Sequence, residues 1–576
     1  MNIDKTLNQL CAVLLAKSLT DLYPQSLLGE SQILDEGFSY AFLTDCNVSS
    51  NDLPKIVKQM QKNIDRAFAI KYQIISKKQA LSLFAHNRFK ITLIQQHAND
   101  EISIIRLGDE FVDLCPHLDI QKLSDIKSYD LLNVSGVYWQ GSAKNEQLTA
   151  INGIGFTNKN DLIQYKNLLI ERKERDHRII GAQLDLFYFN TLAGQGLPIW
   201  LPNGTVIKHE IENFIHDLLA FNGYQFVQTP VLGSKQLYVT SGHWSHYREN
   251  MFPPIDVDGE ILELRPMTCP HHLLVYQRQT HSYRELPIRF AEHAILHRYE
   301  ASGALTGLER VRSMQLVDTH IICTHEMIKQ EVKHSYEMIK QAHATLGTTI
   351  HAVDLSLHDP KDKAKFFDNE PMWQNAENQL RDALKTLKIK YREVVGEAAF
   401  YGPKIDLQIK TVLGHVITVS TIQLDFLLPE RFQLTYKDHN GTIARPILIH
   451  AGIIGTFERY MSILIEQNKG VFPLWLTPVQ AIIIPVEHSK HMSYCQAIFA
   501  KLNQHKIRVQ IDATDERLSK RIRDAQIHKI PYQLVIGDNE IKHKNITYRQ
   551  YGQQTSHTLT LTNFVKLINK QIKSKA

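Results

Sequence analysis

Over the first 156 residues, apolar positions recur at helical spacing near 5–20 and 53–68, with short strand-like runs between, a mixed α/β pattern. Residues 159–186 then read as one long helix, with Asn160 or Asp161 as its cap. The densely charged middle of that helix, Glu171 to Arg178, predicts a solvated face bridging two domains. Near 190 the pattern changes. Ile207, Ile211, Phe214, Ile215, Leu218 and Leu219 fall on one helical face, and Asn222-Gly223 ends that helix. Tyr224–Gln228 reads as a strand closing at Thr229-Pro230. From there to about 475 helices mix with many strands without regular βαβ alternation, which predicts a large antiparallel or mixed sheet. Beyond Pro473 and Pro478 the chain alternates: strand at 481–484, helix near 488–504, strand at 507–511, helix near 515–528, strand at 532–536. A small α/β domain with a mostly parallel sheet is expected there. The expected organisation is 1–156, a linker helix at 157–189, a large α+β domain at 190–475 and a terminal α/β domain at 476–576.

Composition narrows the class. With 43% hydrophobic and 22% charged residues, the 576-residue chain is an ordinary folded protein of several domains. Its net charge of +5 is compatible with a polyanionic partner without identifying one. Six scattered cysteines, none in a Cys-x-x-Cys, fit a reducing compartment rather than a disulfide framework. No apolar run approaches the ~20 residues that span a bilayer. Leu10–Ala16 has the length of a short signal core, but Asp4 precedes it, Lys17 follows it and no small-residue cleavage site is evident, so a buried helix face in a cytoplasmic protein is expected.

Neither a P-loop nor a G-x-G-x-x-G is present, so any nucleotide must be held otherwise. Arg289–Met314 (RFAEHAILHRYEASGALTGLERVRSM) reads as strand, loop and strand. Arg298 with Glu300, and Arg310 with Arg312, are each spaced to share a face. Guanidinium forks suit phosphate oxygens, although on composition alone an exposed charged hairpin is the favoured reading. Gly452-Ile-Ile-Gly-Thr-Phe-Glu-Arg459 leads into a helix with a cation near its positive end, a conflict that a bound phosphate or a salt bridge resolves.

The strand ending at Pro230, the Arg298/Glu300 hairpin and the Gly455–Arg459 helix together resemble the three signature motifs of class II aminoacyl-tRNA synthetases. RPMTCPHH (265–272), RVRSMQLVDTH (310–320), FYGPKIDL (400–407), STIQLDF (420–426) and HAGIIGTFER (450–459) are similar to threonyl-tRNA synthetases in particular. The resemblance covers nearly the whole chain. It implies a catalytic antiparallel sheet flanked by helices, an N-terminal editing-like domain and a C-terminal anticodon-binding domain, and a homodimer. It implies that ATP, with Mg²⁺, meets Arg298, Glu300, Arg310, Met314, Thr418 and Arg459, with Arg298 at the α-phosphate. Threonine would attack that phosphate, and tRNA(Thr) would then take the threonyl group from the adenylate. Arg298 and Arg459 would supply electrostatic catalysis, and His243 matches a histidine implicated in proton transfer from the tRNA ribose.

Cys269, His320 and His450 lie 51 and 130 residues apart, not at zinc-finger spacing, and His271 and His272 look more ligand-like beside Cys269. The resemblance alone selects Cys269, His320 and His450 as ligands of one Zn²⁺, with an open position for the amino and hydroxyl groups of threonine. It adds Asp318, Tyr401 and Gln423 as substrate contacts. A site built to ligate a hydroxyl rejects valine by ~10⁴ or more. Serine keeps the hydroxyl, which is why the family carries an editing domain.

Here the resemblance is incomplete. The common bacterial form begins with a small extra domain for which this chain has no room. The editing helix normally carries His-x-x-x-His but reads Gln9-Leu-Cys-Ala-Val13, and the Cys-x-x-x-His turn is shortened to Cys115-Pro-His117. A scaffold without hydrolytic chemistry is expected. Met314 stands where an aromatic often stacks on adenine, and Thr418 where a glutamine often sits. Asp515, Lys529, Glu540 and Arg549 match positions that read or approach anticodon bases. Two other readings are a sister synthetase for serine or proline, and an inactive paralogue that binds tRNA or mRNA.

Overall fold

The structure is a computed structural model describing residues 3–120, 122–142 and 144–575. It divides into two units, residues 1–171 and 172–576.

The first unit is built around the helix Lys5–Leu22, which Asp4 caps through the backbone N–H groups of Thr6 and Leu7. This helix is apolar on nearly every side, and Leu7 to Leu19 are buried throughout. The apolar run Leu10–Ala16 is therefore the centre of a core. That core is closed by the antiparallel sheet Leu27–Leu34, Gly37–Leu43, Gln147–Phe156 and Ser128–Tyr138, in that order, and by the helix Leu53–Asp65. A second antiparallel sheet joins Ile70–Ser76, Glu101–Leu107 and Phe111–Leu114. Among the described residues no helix is long and apolar enough to cross a membrane.

The second unit centres on an eight-stranded sheet. Its order is Gln225–Phe226, Ile288–His297, Ser313–Cys323, Ile447–Thr456, Val416–Asp425, Lys404–Lys410, Ile350–Leu357 and Arg392–Val395. The outermost pair at each edge is parallel and every inner pair antiparallel. Alternation along the strands gives the sheet two chemically different faces. Ile321, Cys323, Ile405, Leu407, Ile422, Leu424 and Ile449 pack under the helices Pro202–Phe221, Ile328–Thr345, Glu370–Thr386 and Phe457–Asn468. Their neighbours Asp318, His320, Lys404, Thr421, Gln423 and His450 face the other way, so the same alternation that builds the core delivers polar groups to one surface.

Behind that surface, His343 of the helix Ile328–Thr345 is buried, with Nδ1 2.7 Å from Thr348 Oγ1 and Nε2 2.8 Å from Ser420 Oγ. Burial pushes its pKa down from 6.5 to about 4. The fold holds the neutral ring while the unfolded chain binds a proton below pH 6.5. The stability this ring supplies is therefore complete above pH 6.5 and lost as pH falls toward 4. Thermal melts of His343→Gln are expected to show a pH slope shallower than wild type across that window, by at most about 1.4 kcal/mol per pH unit. Identical slopes would contradict this.

The C-terminal part of the unit carries a five-stranded sheet ordered Val509–Ile511, Ala481–Pro485, Tyr532–Ile536, Ile546–Gln550 and Ser556–Leu559. The first three strands are parallel, as the sequence predicts, and a hairpin adds two antiparallel strands at the edge that the sequence pattern does not reveal. The helices His488–Gln504 and Leu561–Ser574 pack on one face, while Leu518–Ile527 covers the other.

Two local expectations are corrected. The predicted single helix over 159–186 is two helices, Lys159–Arg175 and His177–Gln183. Asp176 leaves helical geometry and caps the second by accepting from the Arg178 N–H. The predicted strand positions of Arg298, Glu300, Arg310 and Arg312 lie beyond the strand ends, which fall at His297 and Ser313. Only one further backbone bond continues the ladder, from Arg298 N to Arg312 O at 3.0 Å, before the chain opens into the loop.

Candidate active site

The polar face of the eight-stranded sheet floors a cavity of about 430 Å³. Cys269, Asp318, Tyr401, Gln423 and His450 line one part of it, and Arg298, Thr418, Gly455 and Arg459 also border it.

The three expected metal ligands converge. His320 and His450 are direct cross-strand partners, and Cys269 opens the helix Cys269–Gln277 that packs over them. Their donor atoms lie within 4.8 Å of one another, and all three residues are buried. His320 Nε2 is 2.9 Å from His450 Nδ1. The other nitrogen of His450 faces Asp425 Oδ2 at 2.9 Å, a carboxylate behind a histidine of the kind that orients metal ligands. Burial, then the Asp318 and Asp425 carboxylates, hold the Cys269 thiol well above its ordinary range, while burial with His450 and His272 holds His320 well below its own. A cation at the meeting point of these atoms reverses the first preference, because it favours thiolate, and it suits neutral imidazole. The donor set, one sulfur and two nitrogens with a carboxylate behind, fits Zn²⁺.

His271 and His272 are not in the trio. His272 supports it from behind, 2.8 Å from His320 Nδ1 and 3.0 Å from Glu292, which Arg265 also engages at 2.9 Å. Around the trio, Tyr401 stacks on His450 with ring centres 4.8 Å apart and donates to Gln423 Oε1 at 2.6 Å. Gln423 is the cross-strand partner of His450 and donates to Thr421 at 3.0 Å. Asp318 accepts from the Thr268 hydroxyl.

The arginines form a second group. Arg459 sits in the first turn of the helix Phe457–Asn468, which Thr456 caps, and its Nε donates to the Glu309 carbonyl at 3.1 Å. Burial, then Arg298 and Arg310, lower its pKa, so three cations approach one another. Among the described residues neither Arg298 nor Arg459 is ion-paired, whereas Arg310 meets Glu300 at 2.9 Å. Arg312 instead braces the loop, donating to the Glu300 carbonyl at 3.0 Å. Met314 is buried against Ala294, Leu296 and Val311 and does not border the cavity. His243 is fully buried between Ser241 Oγ at 2.8 Å and Met267 Sδ at 3.2 Å, and burial drives its pKa down to about 3. Three residues further on, His246 borders the cavity.

Sequence reasoning missed two cavity cations, Lys365 and Lys404. Lys404 stands within FYGPKIDL, beside Asp406 at 2.9 Å, and its place on a strand facing with Gln423 could have exposed it. Lys365 lies between strand and helix with no periodic signal.

In the C-terminal domain the four expected anticodon positions sit toward one side of the sheet. Gln533 reaches Gln526 of the helix Leu518–Ile527 at 2.9 Å, and Arg549 is its cross-strand partner, so Arg549 faces that helix's side. Thr547, two residues away on the same face, donates to Glu540 at 2.6 Å. Asp515 is exposed ahead of the helix. Lys529 follows it and is already engaged, donating to the Lys469 carbonyl.

Residues 252–468 match the class II core domain of tRNA synthetases for G, H, P, S and T, and residues 480–571 match an anticodon binding domain. Threonine–tRNA ligase of Ureaplasma parvum serovar 3 is 51% identical over 576 residues, 99% of each chain. That of Anoxybacillus flavithermus is 45% identical over 98% of this chain and 88% of its own. The solved RNA binding domain of threonyl-tRNA synthetase from Cryptosporidium parvum Iowa II superposes with a TM-score of 0.65 at 36% identity, covering 69% of this chain and 98% of that one. On likeness of this extent the chain belongs to the threonine–tRNA ligases, within the class II aminoacyl-tRNA synthetases.

Proposed function

We propose that this protein joins threonine to tRNA(Thr) through a threonyl-adenylate, choosing threonine at the Cys269, His320 and His450 cluster. The observation that carries this is the meeting of that cluster with the unpaired arginines in one cavity. Zn²⁺, when bound by the three side chains, supplies a Lewis-acidic position for an amino alcohol. Tyr401, Gln423 and Asp318 then fix the threonine beside it. Arg298 and Arg459 hold the triphosphate, so that the threonine carboxylate attacks the α-phosphorus and pyrophosphate leaves. Fixed guanidinium groups at the phosphate offset the charge that develops there without reorganising. The ribose hydroxyl of the tRNA end next attacks the adenylate carbonyl and releases AMP. Arg310 reaches the outer phosphates from the loop together with Arg459, Glu300 borders the nucleotide on its adenine side, Thr418 borders it from the sheet, and Mg²⁺ accompanies the ATP. Met314 packs with Leu296 of the cavity wall, so its contribution to the nucleotide site is through that wall. A sister synthetase has no need of the thiol and two imidazoles together, and an inactive paralogue no need of the arginines. Pyrophosphate exchange with threonine, serine and proline separates the three, and exchange dependent on serine or proline instead of threonine would refute the proposal.

The first unit supports a reading as an editing scaffold without hydrolytic chemistry. Val13 is buried, and Gln9 is occupied with Ser31 Oγ at 3.0 Å. Burial, then Asp113, pushes the Cys115 thiol up to about 12, so no thiolate is offered. His117 points to solvent, 3.9 Å from Asp119. Seryl-tRNA(Thr) incubated with the protein is expected to deacylate at its spontaneous rate, measured by loss of radiolabelled serine. Enzyme-accelerated hydrolysis would overturn this. A cytoplasmic homodimer completes the proposal, on the likeness of the strand ending at Pro230 to the class II dimer element. Anticodon contact is assigned to the sheet side bearing Asp515, Glu540 and Arg549, with Lys529 acting through its hold on Lys469.

A further inference from the structure

Three side chains outside the cavity, His177, Glu309 and Glu466, place ligand-type atoms within 4.8 Å of one another. Hydrogen bonding explains the grouping better than a metal. His177 Nε2 accepts the backbone N–H of Leu308 at 3.1 Å, so the ring proton resides on Nδ1, which donates to Glu466 Oε1 at 2.8 Å. Both ring nitrogens are thereby used, and His177 and Glu466 are buried.

These two bonds connect a loop and a helix. Leu308 belongs to the loop that carries Glu309 and Arg310. Glu466 belongs to the helix Phe457–Asn468, which carries Arg459. The loop and the helix also touch at the cavity end, where Arg459 Nε donates to the Glu309 carbonyl. Gly307 lies against the ring. Its φ is +47°, and a Cβ there would fall 2.2 Å from His177 Nε2. The loop can therefore take this path only with a glycine at 307 while His177 holds its place. Arg175 reinforces the joint, donating to the Glu466 and Gln467 carbonyls at 2.9 and 3.0 Å.

We infer that His177 is a positioning residue for ATP: it staples the Gly307–Arg310 loop to the Phe457–Asn468 helix and so sets the spacing between Arg310 and Arg459. This rests on the assignment of those arginines to the phosphates. His177 touches no substrate. Its effect is on how often the loop and helix stand at the separation a triphosphate requires, so its loss weakens ATP while sparing the threonine pocket, whose residues lie further along the adjoining strands and are held by pairing within the sheet.

The test is pyrophosphate exchange by the full chain, with KM for ATP and for threonine measured separately, alongside melting temperature. His177→Ala is expected to raise KM for ATP about tenfold, as loss of two buried hydrogen bonds would, with kcat and KM for threonine within about twofold of wild type. His177→Gln, which can still accept from Leu308, recovers part of the loss. Gly307→Ala raises KM for ATP in wild type, and adds less in the His177→Ala background, because the side chain it meets has gone. Arg310→Ala serves as reference. If Arg310→Ala raises KM for ATP but His177→Ala only lowers the melting temperature, the inference is overturned and the phosphate assignment stands. If Arg310→Ala leaves KM for ATP unchanged, the phosphate assignment falls and takes the inference with it.

Discussion

Cys269→Ala is expected to abolish threonine-dependent pyrophosphate exchange, with a loss of at least about 10³-fold. Truncation removes the only sulfur of the trio and leaves two imidazoles, His320 Nε2 and His450 Nδ1, facing each other at 2.9 Å. Two neutral nitrogens hold Zn²⁺ far more weakly than two nitrogens and a thiolate. The threonine hydroxyl then loses the partner that sets it apart from a methyl group, and a hydroxyl with no partner in a buried pocket is costly. The carboxylate behind His450 gives a graded control. Asp425→Asn removes the charge that orients the ring yet leaves all three ligands, so metal affinity is expected to fall about 10- to 100-fold, with exchange restored by added zinc. Metal analysis of both variants beside the exchange assay checks the pair. Undiminished exchange by metal-free Cys269→Ala would contradict the account.

Arg459→Ala carries the second large effect, a fall in kcat of about 10²- to 10³-fold with KM for threonine little changed. The effect is electrostatic. Arg459 sits at the positive end of a helix, largely removed from water, near Arg298 and Arg310, and its hydrogen-bond partner is a backbone carbonyl. The helix end, the burial and the neighbouring arginines disfavour an isolated cation, the carbonyl satisfies only one of its N–H groups, and the arrangement favours a polyanion placed among them. Arg459→Lys is expected to recover little, since an ammonium cannot reproduce a planar fork held by Nε on Glu309 while its other nitrogens face the cavity. Single-turnover adenylate formation reads the chemical step directly. A variant with wild-type kcat would remove Arg459 from the mechanism.

The strands and helices were legible wherever periodicity was strong. The face Ile207, Ile211, Phe214, Ile215, Leu218 and Leu219 became the buried side of Pro202–Phe221, and Asn222 ends that helix with Gly223 at φ +78°. The three parallel strands near the C-terminus were equally plain. The hairpin Ile546–Gln550 and Ser556–Leu559 was not, because one of its strands packs only at its edge and its exposed positions carry no alternation. The break at Asp176 was hidden by charged residues on both sides, which suit a continuous helix and two capped ones alike.

The candidate site was legible in a different sense. No local pattern joins Cys269 to His320 and His450; strand register joins them, since 320 and 450 become neighbours only when the two strands pair antiparallel. Family resemblance anticipated that register, whereas spacing pointed to His271 and His272. Resemblance carries no information on how deeply each side chain is buried. His243 proves enclosed while His246 borders the cavity, Met314 sits in the core, and Lys529 is taken up by Lys469.

The most direct test follows exchange with threonine and with valine as zinc is stripped from the wild-type protein and returned in measured steps. Exchange with threonine is expected to fall to background with the metal, to return in proportion as one ion per chain is restored, and to stay at background with valine throughout. Threonine exchange that persists in fully stripped protein, or valine activated to a similar degree by the reloaded one, would contradict this.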